Sequence, residues 1–86
     1  AAFLSAEAIH PDYGFMVPNA DDCNCKRMVL ARTSKAFVLS DSSKLFFRSR
    51  CIYAHPNEIN TFITDEKCPA ETQETFRKQG VQIIAV

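Results

Sequence analysis

Apolar residues lie along this chain in runs of four or fewer, separated by polar clusters, and the runs switch between strand-like and helix-like spacing. Phe3-Leu4-Ser5-Ala6 predicts a short strand, and the breakers Pro11 and Gly14 make His10-Pro11-Asp12-Tyr13-Gly14 a turn. Asp21-Asp22 offers capping chemistry for a helix running to about Ser34. Cys25, Met28, Val29 and Arg32 form the apolar stripe of that helix, with the Arg32 stem along its edge. Ala36-Phe37-Val38-Leu39 is wholly apolar, the pattern of a strand covered on both faces within a parallel sheet. Two further strands are predicted over Arg50 to Ala54 and Asn60 to Thr64, separated by the turn His55-Pro56-Asn57-Glu58.

The last helix has the clearest bounds. Pro69 suits the first helical position, Glu71 and Glu74 lie toward the positive end of the dipole, and Arg77 and Lys78 lie toward the negative end. Gly80 ends it, and Val81 to Val86 reads as a final strand. The order strand, helix, three strands, helix, strand predicts an α/β fold with a largely parallel sheet flanked by helices. There are no repeats, linkers or low-complexity tracts.

Eighty-six residues and 9.7 kDa allow one small domain, whose folded surface should be roughly 5,100 Å², leaving a thin core. The 47% hydrophobic content argues against disorder, and the short apolar runs exclude a transmembrane helix or a signal-peptide core. Both ends, Ala1-Ala2-Phe3-Leu4 and Val81-Gln82-Ile83-Ile84-Ala85-Val86, read as strand interior, which predicts that these residues belong to a longer chain. The four cysteines, at 23, 25, 51 and 68, lack C-x-x-C spacing, and His10 and His55 complete no finger-like set, so a structural zinc site is not expected. Buried reduced thiols and an intracellular, cytoplasmic origin are the expectation. Cys51 and His55, two steps of alternation apart on a strand, are too far separated to act as nucleophile and base.

Ten basic and ten acidic residues cancel, which argues against a free-standing nucleic-acid binder. The cancellation hides a polarised distribution. From Lys26 to Arg50 there are seven basic residues and one acidic, Asp41, a local charge of +6. Arg32 and Lys35 read as ordinary solvated positions. Asp41-Ser42-Ser43-Lys44 differs, because it follows an apolar strand directly and so falls at the strand's carboxyl end, where open α/β sheets bind ligands. A tight turn there can present backbone N–H groups, two hydroxyls and an ammonium to one anion, while Asp41 accepts from a sugar hydroxyl or orients the lysine. The same four residues also suit an ordinary loop.

Three stretches together, Phe37-Val38-Leu39-Ser40-Asp41-Ser42-Ser43-Lys44, Ile59-Asn60-Thr61-Phe62-Ile63-Thr64-Asp65 and Gly80-Val81-Gln82-Ile83-Ile84-Ala85-Val86, resemble the C-terminal half of the sugar-phosphate sensor domain of DeoR-type transcriptional repressors. Phe3 to Gly14 and Lys26-Arg27-Met28 are similar to that family as well, in order along the whole chain. The resemblance implies a Rossmann-like fold of the ribose-5-phosphate isomerase and CoA-transferase type. It further implies a phosphorylated sugar effector bound by Asp41, Ser42, Ser43 and Lys44 with Lys26, no cofactor or metal, a homo-oligomer, and DNA contact only through a helix-turn-helix upstream of residue 1. The first half of the sensor domain would also lie upstream. Departures from the family pattern include Ser5, Glu7 and Ala8 in place of glycines, Asn24 in place of an acid, and Leu45-Phe46 in place of Phe-Gly.

An isomerase of the same fold is the enzymatic alternative, and a purely structural or oligomerisation domain is the third. The isomerase carries a catalytic Glu eighteen positions before the matching lysine. Here that position is Lys26, and a cationic lysine does not abstract a proton at neutral pH as a carboxylate does. Sensing without catalysis is therefore expected.

Overall fold

A computed structural model describes all 86 residues, Ala1–Val86. The chain forms seven strands and two helices: β1 (Ala2–Leu4), β2 (Ala8–His10), β3 (Gly14–Val17), α1 (Ala20–Arg32), β4 (Ala36–Leu39), β5 (Cys51–Ala54), β6 (Thr61–Thr64), α2 (Ala70–Lys78) and β7 (Gln82–Ala85). Short 3-10 turns at Ser42–Lys44 and Pro56–Glu58 follow β4 and β5. The fold is mixed α/β. Four strands make a wholly parallel sheet in the order β1-β4-β6-β7, and β2-β3-β5 make a separate antiparallel sheet.

The antiparallel sheet corrects the expectation of one sheet. The predicted turn is present as the bend of a hairpin, with Gly14 at φ +115, but its flanks Ala8–His10 and Gly14–Val17 are strands that no alternation announced. Their physical disguise is brevity together with burial: all four residues of β3 are covered, so no polar position marks an outer face. Residues 51–54 form a strand as expected but pair antiparallel with β3, outside the parallel sheet.

Three local expectations are also revised. Asn19, rather than the Asp pair, caps α1, its side-chain oxygen accepting the N–H groups of Asp21 (2.7 Å) and Asp22 (3.2 Å). Asp21 and Asp22 instead occupy the first turn, where their charge favours the dipole. Pro69 stands one position earlier than predicted, as the residue before α2, and Gly80 follows that helix at φ +87. The stripe of Cys25, Met28, Val29 and Arg32 faces outward, with Met28 57% exposed, while Cys23 and Leu30 turn to the core. Apolar residues on both sides of α1 make its stripe ambiguous to periodicity.

The core is a single cluster in which rings from different layers meet. Phe62 of β6, Phe15 of β3 and Phe76 of α2 are fully buried, with centroids 5.5 Å (Phe15–Phe62), 5.8 Å (Phe15–Phe76) and 5.3 Å (Phe62–Phe76) apart. Tyr53 of β5 lies 6.4 Å from Phe15. Val38, Ile9 and Val81 are among the other fully buried side chains of the cluster. The exposed surface, 5157 Å², agrees with the roughly 5,100 Å² expected for an ordinary folded chain of this mass.

Only one face of the parallel sheet is covered. Parallel pairing aligns Phe3 with Phe37 and Leu39 with Ile63 and Ile84 on the outer face. Phe3 is 67% exposed, stacked on Phe37 at 4.9 Å, and Leu39 is 45% exposed. The wholly apolar β4 therefore buries Ala36 and Val38 but leaves Phe37 and Leu39 on the open side.

Because one ring per layer joins the sheets and α2, truncating Phe62 should cost about 3–5 kcal/mol. A marginal domain of this size has little more than that to lose. In urea denaturation, Phe62→Ala should lose most of its cooperative transition. A midpoint near that of the parent would show that the layers are held otherwise.

Candidate functional site

The carboxyl ends of β1, β4 and β6 lie side by side because those strands are adjacent and parallel. A hydroxyl following β4 and a carboxylate following β6 cross-link them. Beyond β4, Ser40 Oγ donates to the Ala6 carbonyl (3.1 Å) and accepts the Ala6 N–H (3.1 Å), tying the segment after β1 to the end of β4. Beyond β6, Asp65 Oδ2 accepts the Ser42 N–H at 2.9 Å, while its Oδ1 accepts the Lys67 N–H at 2.9 Å.

These bonds shape the turn that the sequence marks out. Asp41 is extended and enters the 3-10 turn Ser42–Lys44, closed by Lys44 N–H on the Asp41 carbonyl (3.2 Å) and Leu45 N–H on the Ser42 carbonyl (3.1 Å). Ser43 Oγ donates to Asp41 Oδ1 at 2.6 Å, which orients that carboxylate. The Lys44 ammonium has no hydrogen-bond or ion-pair partner. The turn thus brings Asp41, Ser42, Ser43 and Lys44 together, with the Ser42 N–H bonded to Asp65 and the lysine head free.

Lys26 stands elsewhere. It projects from α1 to Asp22 Oδ1 at 3.1 Å and lies 5.8 Å from the centroid of the Tyr53 ring. The Tyr53 hydroxyl donates to the Ser5 carbonyl, just past β1, at 2.9 Å. No hydrogen bond or ion pair joins Lys26 to the turn; the link runs through Tyr53, Ser5-Ala6 and Ser40. Burial pushes the Tyr53 phenol upward in pKa, with the Asp22 charge adding to the shift.

Asp65, Ser40 and Tyr53 are the members that sequence reasoning missed. Asp65 was discoverable, because it follows β6 as Asp41 follows β4, and the same rule about carboxyl ends applies to both. The Ser42 N–H, first among the causes, holds the Asp65 carboxyl below the usual range, with the Ser42 hydroxyl and Lys67 contributing. No group of three or more His, Cys, Asp or Glu side chains converges here or elsewhere. All four cysteines are free thiols: Cys23 and Cys68 are buried and Cys51 partly so, but Cys25 is exposed, against expectation.

Residues 1–66 match the family model described as the DeoR C-terminal sensor domain. The chain belongs to this family. The DeoR sensor chain is similar over 82 residues, at 32% identity, to the HTH-type transcriptional regulator GlpR of Haloferax volcanii, covering 95% of this chain and 32% of that protein. Over 84 residues it is 32% identical to the putative aga operon transcriptional repressor of Escherichia coli O157:H7, covering 98% of this chain and 31% of that protein. It spans about a third of the length of these curated relatives, both of which are transcriptional regulators.

Two outcomes test the site's internal bonding. Asp65→Asn weakens the acceptor for the Ser42 N–H, so amide exchange at Ser42 should quicken at constant pH. In the parent the depressed carboxyl contributes stability above its unfolded pKa, and the contribution is lost as pH falls through the lower folded value. Unchanged exchange at Ser42 would break this account. For Tyr53 the sign is opposite: the unfolded chain releases the phenol proton near about pH 10 while the fold retains it. Stability is therefore complete below that pH and falls above it, and Tyr53→Phe should flatten the alkaline limb of the denaturation profile.

Proposed function

We propose that these 86 residues are the C-terminal portion of the sensor domain of a DeoR-type repressor, binding a phosphorylated sugar at the Asp41–Lys44 turn. The observation that carries the reading is the unpartnered Lys44 ammonium beside an Asp41 carboxylate already oriented by Ser43, at the carboxyl end of an inner parallel strand. Phosphate recognition falls first to the Lys44 ammonium, because Asp65 occupies the Ser42 N–H and Asp41 the Ser43 hydroxyl, and the Ser42 and Ser43 hydroxyls join only by exchanging those partners for the phosphate. Asp41 keeps acceptor capacity for a sugar hydroxyl. Lys26 contributes from α1 as a second cation, connected to the turn through Tyr53.

The proposal extends to the rest of the protein. The alternation of parallel strands and helices supports a Rossmann-like fold of the ribose-5-phosphate isomerase and CoA-transferase type, completed by upstream residues that include a helix-turn-helix. The effector acts by binding one arrangement of the homo-oligomer more tightly than another, which alters how the DNA-binding heads are spaced. Reversing a 1:99 balance takes a differential of about 5.5 kcal/mol, and partial switching takes less. A non-catalytic role is supported by Lys26, paired with Asp22, standing where the isomerase has its carboxylate base. No helix is long and apolar enough to cross a membrane. Similarity to transcriptional regulators supports a cytoplasmic location.

Calorimetric titration of the full-length protein with a panel of phosphosugars tests this. One member should bind, and Lys44→Ala should weaken it by about 10- to 100-fold, the range of a charge-assisted contact. Absence of binding across the panel, or turnover of ribose 5-phosphate, would overturn the proposal.

A further inference from the structure

A second cluster of unpartnered cations lies away from the turn, on the outer side of the antiparallel sheet. There a cavity of ≈ 320 Å³ is lined by Tyr13, Met16, Arg48, Ser49, Arg50 and Ile52. Its floor is a cross-strand pair, since Met16 of β3 lies opposite Ile52 of β5, and neither belongs to the core cluster. Arg48 and Arg50 make no salt bridge and no hydrogen bond, and no acidic residue lines the cavity. The Asp12 carboxylate lies outside it, 4.0 Å from His10 Nδ1.

The wall is pre-arranged. The Arg48 guanidinium lies 5.6 Å from the centroid of Tyr13, whose ring packs on His10 at 4.5 Å, and His10 meets the edge of Phe46 at 5.6 Å. Phe46 holds a left-handed backbone, φ +66, which side-chain-bearing residues adopt rarely. Its N–H is fixed to the Ile9 carbonyl at 2.7 Å. Strained non-glycine residues persist where the surroundings over-determine them, often at binding sites. The strand-edge loop carrying Arg48-Ser49-Arg50 is thereby anchored to the β2–β3 hairpin that carries Tyr13.

We propose that this cavity is a second ligand site, separate from the Asp41–Lys44 turn, for a phosphate monoester with a flat apolar body such as a nucleoside monophosphate. The two guanidiniums and Ser49 take the phosphate, a task suited to forked donors. The Met16–Ile52 floor and the Tyr13 ring take the flat body. The volume falls at the lower end of small-molecule pockets, which fits a mononucleotide better than a polymer.

Titration of the full-length protein with adenosine 5′-monophosphate, followed by calorimetry and by shifts in the Tyr13 ring resonances, tests the site. Binding should be saturable, and adenosine, inorganic phosphate and ribose 5-phosphate should each perturb Tyr13 far less. Arg48→Ala and Arg50→Ala, both at exposed positions, should each weaken binding by about tenfold or more while leaving the melting temperature near the parent value. Lys44→Ala, expected to weaken sugar-phosphate binding, should leave nucleotide affinity at the parent value, so the two sites fail separately. Failure of the nucleotide to bind, or binding insensitive to both arginine substitutions, would overturn the proposal, as would ribose 5-phosphate shifting Tyr13 equally well.

Discussion

Contact between the rings of Phe15, Phe62 and Phe76 is the constraint on which the rest of this structure depends. Each ring comes from a different layer, and none of the layers buries enough apolar surface alone to be stable. With the parallel sheet fixed to the antiparallel one, Tyr53 is set against Phe15, and its hydroxyl reaches the end of β1. The polar edge at the strand ends is thus located by aromatic packing beneath it. Helix α1, which carries Lys26, is positioned by the same antiparallel sheet, against β3 and β5.

The polar edge above that core is largely self-satisfied. Asp65 takes the Ser42 N–H, Asp41 takes the Ser43 hydroxyl, and Ser40 exchanges two bonds with Ala6. Such reciprocal bonding rigidifies a loop before any ligand arrives, lowering the ordering cost of binding. It also leaves a lysine head as the free cation of the turn, so what the turn offers an anion is charge more than backbone amides.

Much of the organisation was legible in the residues. Four apolar positions in a row announced β4, Pro69 and Gly80 bracketed α2 to within a residue, and the Asp-Ser-Ser-Lys turn does follow a parallel strand. What escaped notice did so for identifiable reasons. The β2–β3 hairpin is too short and too uniformly buried to show alternation. On α1, Cys25, Met28 and Val29 make a convincing stripe, yet the buried face is set by Cys23 and Leu30, a choice made by tertiary contact. The bond from Ser42 to Asp65 spans 23 positions and belongs to strand adjacency, which no local spacing encodes. The family resemblance supplied the sensing role, and the residues by themselves supplied only an anion-friendly turn.

The order of the parallel sheet has a consequence for how the chain is made. Strands β1, β4, β6 and β7 occur in the sheet in the same sequence in which they leave the ribosome. Each newly synthesised strand can therefore dock on the one made before it, with no insertion between strands already paired. Growth is vectorial: β1 keeps one open edge throughout, while the other, the edge that must accept the next strand, always belongs to the youngest strand, still close to the exit tunnel.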